Sequence, residues 1–335
     1  MVFIKSLVKT IEANEFEIQN REIPVLNKGE VLIKVDYCGV CGSDLHAANH
    51  DPGYEFVPKP IVLGHEISGT ITKVKSDNDE NLLNKRVVIT PGIVCGQCEA
   101  CKNGDINICE NISATGLHFD GGMSEFIKAK REQVIPIPDE LSLDIAALTE
   151  PLSVSIHAVC QLGEQIRGKD VLVQGCGIIG MCTAIVAKNF GANVTLSGLK
   201  RDLNTRLKKA QIFDLNIHIN DENSYNQMFD YVFECSGSSP AFENSIGQIK
   251  KGGAAVLVAL YKNQMILSPN ILVRREIDIL GSYASNIKDF EHALSLLLKQ
   301  QKAFRQLIKL YPLEDGANAF LEANNQEVLK PVLQI

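Results

Sequence analysis

The sequence predicts an α/β protein of two domains, a β-rich first domain followed by a doubly wound parallel sheet, and three observations carry that prediction. At 335 residues the chain exceeds what a single hydrophobic core usually serves. Up to about residue 150 it consists of short alternating runs, such as Val31 to Val35, Ile67 to Val74 and Arg86 to Thr90, broken by Gly, Pro and Asn. That is the pattern of half-buried strands. From Leu152 onward, continuous apolar strands alternate with longer helical stretches, as crossover helices on a parallel sheet require.

The boundary falls near Pro151, placing a first domain at 1–152 and the parallel sheet at 153–285. Beyond it, DFEHALSLLLKQ reads as an amphipathic helix and VLKPVLQI as an edge strand, a tail expected to return to the first domain. The net charge of −7 offers no basic field for a phosphate backbone, which excludes nucleic acid as a partner. No apolar run approaches the ~20 residues that span a bilayer, so no membrane role is expected. The N-terminus, MVFIKSLVKTIEANEF, lacks the apolar core and cleavage site of a secretory leader. A cytoplasmic protein acting on a small molecule is the expectation.

The most specific chemical signal is CGQCEACKNGDINIC, in which Cys95, Cys98, Cys101 and Cys109 are separated by two, two and seven residues. Thiolates suit a redox-inert, borderline-soft ion, and Gly96, Asn103 and Gly104 provide the turns that let four sulfurs face one point. Disulfides are disfavoured by the reducing compartment. A ferredoxin-type cluster is disfavoured because its fourth cysteine would follow about three residues on, before a proline. The reading is a closed structural zinc site. Cys160, Cys176, Cys182 and Cys235 lie in apolar stretches and read as small core residues, as does Cys38.

The second half opens with the apolar strand Val171 to Gln174, then Gly175, Gly177 and Gly180 in a GxGxxG arrangement, with Ile178 and Ile179 opening the helix that follows. Strand, turn, helix and next strand occur in the order that a dinucleotide site of the Rossmann type needs, with the pyrophosphate at the helix N-terminus. The second strand, NVTL, should end in an acidic residue if ribose hydroxyls selected NAD. Gly198 stands there instead, followed by Lys200 and Arg201. A missing carboxylate and two nearby cations favour NADP within a general NAD(P) expectation. The bland alternative is that both cations are a solvated loop.

These segments, taken with GVCGSDLH (Gly39 to His46), GHE (Gly64 to Glu66) and EPLSVSIHA (Glu150 to Ala158), resemble the zinc-dependent medium-chain dehydrogenase/reductase family over essentially the whole chain. EPLSVSIHA resembles its polyol (sorbitol/iditol) and threonine dehydrogenase branch. The resemblance implies a GroES-like β-barrel catalytic domain, completed by 286–335, beside the Rossmann domain, with the site in the cleft between them. It implies a second, catalytic zinc on Cys41 and His65, with Glu66 or Glu150 supplying the carboxylate. Ser43 would take the substrate proton and His46 pass it to solvent. A reversible oxidation of a secondary alcohol to a ketone, by a homodimer or homotetramer, is what the family implies. The rival is a member of the same fold that binds but no longer catalyses; zinc-free alkene reduction is disfavoured by the same ligands. One departure bears on substrate: where sorbitol-type members carry GxFR, this chain reads Gly281, Ser282, Tyr283, Ala284. Arg274 and Arg275, just before, are expected at a surface or interface.

Overall fold

The structure, a computed structural model, describes residues 2–75, 77–220 and 227–335. The chain divides into two compact units, Met1–Glu150 with Asn286–Ile335, and Pro151–Ser285.

The first unit is organised around the strand Glu30–Gly39. It pairs antiparallel with Glu66–Val74, and along its other edge with Phe126–Lys130 and then Lys330–Gln334. Its Val31, Ile33 and Val35 are fully buried, each worth about 1.5–3 kcal/mol of apolar transfer. Arg86–Ile89 and Val134–Pro136 extend the sheet on one side and Ile308–Pro312 on the other. A smaller sheet joins Phe16–Glu22, Phe3–Lys9 and Ile61–Val62. The amphipathic helix spans Ile287–Phe304 and buries Phe290, Ala293, Leu294 and Leu297 on one face. The C-terminal strand corrects the expectation of an edge: Lys330–Gln334 lies inside the sheet, between Glu30–Gly39 and Ile308–Pro312. Pro331 lacks a donor, yet its carbonyl accepts from Val40 N at 3.0 Å, so the ladder tolerates it there.

The second unit is a parallel sheet in the order Asn216–Ile219, Asn193–Gly198, Asp170–Gln174, Phe229–Glu234, Ile249–Leu257, Asp278–Gly281. The first strand in sequence, Asp170–Gln174, is central, and strand order reverses beside it. Its carboxyl end is therefore the topological switch point at which such sheets bind ligands. The helix Ile178–Asn189 is buried from Gly180 to Ala187, which explains its apolar composition on all sides. Among the five cysteines expected in cores, Cys38, Cys176 and Cys182 are buried and Cys235 partly so. Cys160 is exposed: it ends the helix Thr149–Cys160, where the apolar stripe has passed to the other side. Arg275 donates to the carbonyls of Gly247 and Ile249, bracing its own unit. Among the described residues no helix is long and apolar enough to cross a membrane.

Candidate active site and metal centres

Cys41 is the N-cap of the helix Gly42–Asn49, and its extended backbone (φ −92°, ψ 159°) turns the chain out of the strand Glu30–Gly39. Asp44, three residues on, accepts from Cys41 N at 2.9 Å and from Gly64 N at 3.2 Å. One fully buried carboxylate thus ties the helix start to the segment that carries His65 and Glu66. Gly64 can make that approach because it sits at φ +98°. Strand register does the rest: Gly39 faces Glu66, and a Cβ at 39 would collide with the Glu66 carboxylate.

The outcome is a cluster in which one ligand atom each from Cys41, His65 and Glu66 lies within 4.8 Å of the others. His65 directs Nε2 to Ser43 Oγ at 3.3 Å and Nδ1 toward Asp44 Oδ1 at 3.4 Å. That Nδ1 is buried and makes no hydrogen bond as it stands. Loading Nε2 with a metal would leave the ring proton on Nδ1 facing a carboxylate, the outer-shell contact that metal-binding histidines use. Burial alone would lower the His65 pKa, but the charges of Asp44 and Cys41 outweigh it and hold the imidazole well above its usual range. The pocket attracts positive charge. Cys41, His65 and Glu66 therefore fit a zinc ion with three protein ligands.

Glu150 stands outside this trio, at the start of the helix Thr149–Cys160. Burial pushes its carboxyl up to about 7, with His65 pulling it down and Glu66 pushing it further up. It is a neighbour of the centre, whereas Glu66 is within it.

Lys330 and Asp44 were not picked out from sequence. Lys330, 1% exposed, donates to Glu66 Oε1, lies against Oε2 as an ion pair, and donates to Val40 O at 2.8 Å. Burial tends to discharge the ammonium, yet Glu66 and Cys41 hold its pKa above the usual value. A lysine inside the apolar run VLKPVLQI was the available signal, since a charge buried in a strand needs a partner. For Asp44 the signal was an acid at the third helical position after a cap. We expect Asp44→Asn to weaken zinc binding about 10–100-fold. Competition against a chromophoric chelator measures this, and an unchanged affinity would show that Asp44 does not orient the ligand.

His46 lies three residues beyond Ser43 on the same helix face. Its Nδ1 meets Asp51 Oδ2 at 2.6 Å, and its ring lies 5.3 Å from that of Tyr54. Nδ1 is thereby occupied, leaving Nε2 for proton exchange.

Cys95, Cys98, Cys101 and Cys109 also bring their sulfurs within 4.8 Å of one another, and none is in a disulfide. Backbone N–H groups of Cys95 and Cys98 point at Cys109 Sγ and Cys95 Sγ, each at 3.4 Å. The N–H groups of Gln97 and Cys98 draw the Cys95 thiol down to about 6. Burial and the adjoining sulfurs push Cys101 up. Four thiolates at one point need a cation, and four equal donors fit zinc with no open position. Cys38 is buried packing, its Sγ wedged against Gly64 and Gly122.

At the switch point of the second unit, Gly175 has φ +98°, and a Cβ there would meet Ser236 at 2.8 Å. Gly180 lies so close to the Gly175 carbonyl that no side chain fits. Around Gly177, by contrast, a Cβ would meet only open space at the N-cap of the Ile178–Asn189 helix. Ile178 and Ile179 form the first turn there, the geometry of a pyrophosphate cradle. Gly198 is buried, while Lys200 and Arg201 are exposed on a short 3-10 turn. A third cation, Arg206, escaped the sequence reading. Its guanidinium is largely buried 3.9 Å from Asp202, and its Nε has no hydrogen-bond partner. Nothing in RLKKA distinguishes it from its neighbours without the tertiary structure.

Comparison with known proteins agrees in both units. The profile of the alcohol dehydrogenase GroES-like domain matches residues 27–139, and that of the zinc-binding dehydrogenases matches 178–299. The D-arabitol-phosphate dehydrogenase of Enterococcus avium is 32% identical over 323 residues, covering 92% of this chain and 91% of that one. The sorbitol dehydrogenase of Bacillus subtilis is 32% identical over 326 residues, covering 93% and 92%. Among solved structures, a zinc-binding dehydrogenase from Sinorhizobium meliloti bound to NADP superposes with a TM-score of 0.90 at 25% identity, covering all of both chains.

Proposed function

This chain belongs to the zinc-dependent medium-chain dehydrogenase/reductase family, in its polyol dehydrogenase branch, and from that premise we propose how its own residues conduct the reaction. It is an oxidoreductase that transfers hydride between a secondary alcohol and NAD(P). The observation that carries the residue assignment is the convergence of Cys41, His65 and Glu66 on one point. Three ligands leave a fourth position for substrate, unlike the closed four-cysteine site.

Cys41, His65 and Glu66 would hold a zinc ion that would supply Lewis acidity toward a substrate oxygen, and a bound nicotinamide would supply the hydride chemistry. Everything else falls to the chain. Ser43 Oγ, beside His65 Nε2, receives the hydroxyl proton, and His46, braced by Asp51, passes it to solvent. Asp44 orients His65, and Lys330 pairs with Glu66 and holds it in place. Glu150 completes the acidic wall as a neighbour that holds a proton more readily than a free carboxylate.

For substrate we propose a polyol, sugar derivative or similar hydroxy compound, in line with the arabitol-phosphate and sorbitol activities of the relatives. Sorbitol itself is not favoured, since residues 281–284 read GSYA. NADP is the proposed cofactor, supported by Gly198, by the cations Lys200, Arg201 and Arg206, and by the NADP held in the Sinorhizobium protein. Two zinc ions per chain follow from the two ligand sets. Unpaired cysteine ligands suit the reducing cytoplasm. A homodimer or homotetramer is proposed from the open edge of Asp278–Gly281, near which Ile266 is 88% and Val273 75% exposed.

A panel of polyols, sugar derivatives, amino alcohols and simple alcohols, each followed by nicotinamide absorbance with NAD and NADP, tests the reading. Turnover is expected with polyols or sugar derivatives, faster with NADP. A protein carrying two zinc ions that oxidises no secondary alcohol in the panel would overturn it.

A further inference from the structure

Gly198 ends the strand Asn193–Gly198, the position from which a carboxylate would reach the adenosine ribose. Its backbone does not demand glycine, because its φ is not in the left-handed region. What demands it is space. A Cβ at Gly198 would stand 2.6 Å from Cys176 Sγ, 3.3 Å from Cys176 Cβ and 3.2 Å from Leu207 Cδ1. Cys176 is the variable residue between the first two glycines of the fingerprint, and it is 3% exposed.

The thiol is not free to swing aside. The Cys176 thiol lies beside the carboxylate of Asp202, which accepts from Leu199 N at 3.0 Å and pairs with Arg206. Leu207, fully buried, closes the other side. Asp202, the acid nearest the strand end, is thus turned inward and engaged three times over. The outward charges are Lys200 and Arg201, with the unpartnered Arg206 Nε beside them.

We propose that Cys176 is a specificity-determining residue of the cofactor site: its thiol fills the volume that an acidic side chain at position 198 would need, and so bars the ribose anchor that selects NAD. The proposal deepens the NADP reading and rests on it for the direction of the preference. It predicts that the two positions are coupled. An aspartate at 198 cannot work until the side chain at 176 is shortened.

The test uses the zinc-loaded protein as wild type, Gly198→Asp, Cys176→Ala and the double variant. Dissociation constants for NAD and NADP come from calorimetry, and stability from thermal unfolding. Wild type is expected to bind NADP more tightly, and this measurement alone tests the NADP reading. Gly198→Asp should lower the Tm by roughly 2 °C or more and bind both cofactors more weakly. The double variant should recover the Tm and shift the affinity ratio toward NAD by about tenfold or more relative to wild type. A full switch in Gly198→Asp alone, with unchanged Tm, would overturn the proposal, as would a double variant with wild-type Tm and wild-type ratio. Should Gly198→Asp not fold, Gly198→Ala made in the wild-type and Cys176→Ala backgrounds gives the same answer. It should lower the Tm in the first and leave it nearly unchanged in the second, and equal losses in both would refute the coupling whichever cofactor the wild type prefers.

Discussion

Cys41→Ala is expected to reduce turnover by about 10³-fold or more while leaving cofactor affinity unchanged. The substitution removes the one sulfur from a trio whose other members are an imidazole and a carboxylate already engaged by Lys330. With two protein donors left, the ion is lost or misplaced, and the alcohol proton is no longer acidic enough for Ser43 to accept at neutral pH. The proposed pyrophosphate cradle involves only residues within Pro151–Ser285, so dinucleotide binding should survive. Elemental analysis should fall from two zinc ions per chain to one. Steady-state rates with the best substrate of the panel, together with fluorescence titration of the reduced cofactor, read both halves of the prediction. Wild-type turnover in the variant would mean that the trio is not the reacting centre.

Cys98→Ser should act on folding instead. Between Gly92 and Ala114 the only buried residues are Asn107 and Cys109, so this lobe has no apolar core of its own. A segment that buries so little cannot offset the entropy of its own ordering, and the four sulfurs around a cation are what remain to hold it. Zinc binding contributes about 10 kcal/mol or more in small domains built this way. Losing one ligand should therefore cost several kcal/mol, on the order of 3 or more. The expected results are a lowered Tm and rapid proteolytic cleavage within residues 92–114. Turnover per correctly folded molecule should fall far less than in Cys41→Ala. An unaltered Tm and a protease-resistant lobe would show that the cysteines are not its clamp.

Local features were legible because they are written in adjacent residues. The four-cysteine loop, the glycine fingerprint and the strand that precedes it all lie within short windows, and turn geometry or helix dipoles act over the same distance. Ser43 and His46 stand three residues apart on one helix, so their common face follows from helix periodicity, and Cys41 caps the start of that helix. The misjudged positions are those settled by distant partners. Lys330–Gln334 reads as an edge in isolation and becomes interior only because Glu30–Gly39 and Ile308–Pro312 flank it. Cys160 sits in an apolar stretch whose exposed side no local pattern distinguishes. Arg206 is one cation among several in its segment until Asp202 folds back against it.

By itself the sequence indicated the fold class, the four-cysteine lobe and the dinucleotide fingerprint, since each depends on residue type and short spacing, whereas the candidate reacting side chains came from the family resemblance. Only the tertiary structure decided between Glu66 and Glu150 as the carboxylate nearest Cys41 and His65, and only it supplied Lys330 and Asp44 as the groups that hold that centre. Cys176 and Gly198 belong to the same category: 22 positions of chain separate them, yet they compete for one volume. The physical reason is common to all three. Strand register and close packing bring together atoms that the chain order keeps apart, and both the electrostatics of a buried charge and the repulsion of overlapping atoms depend on distance in space.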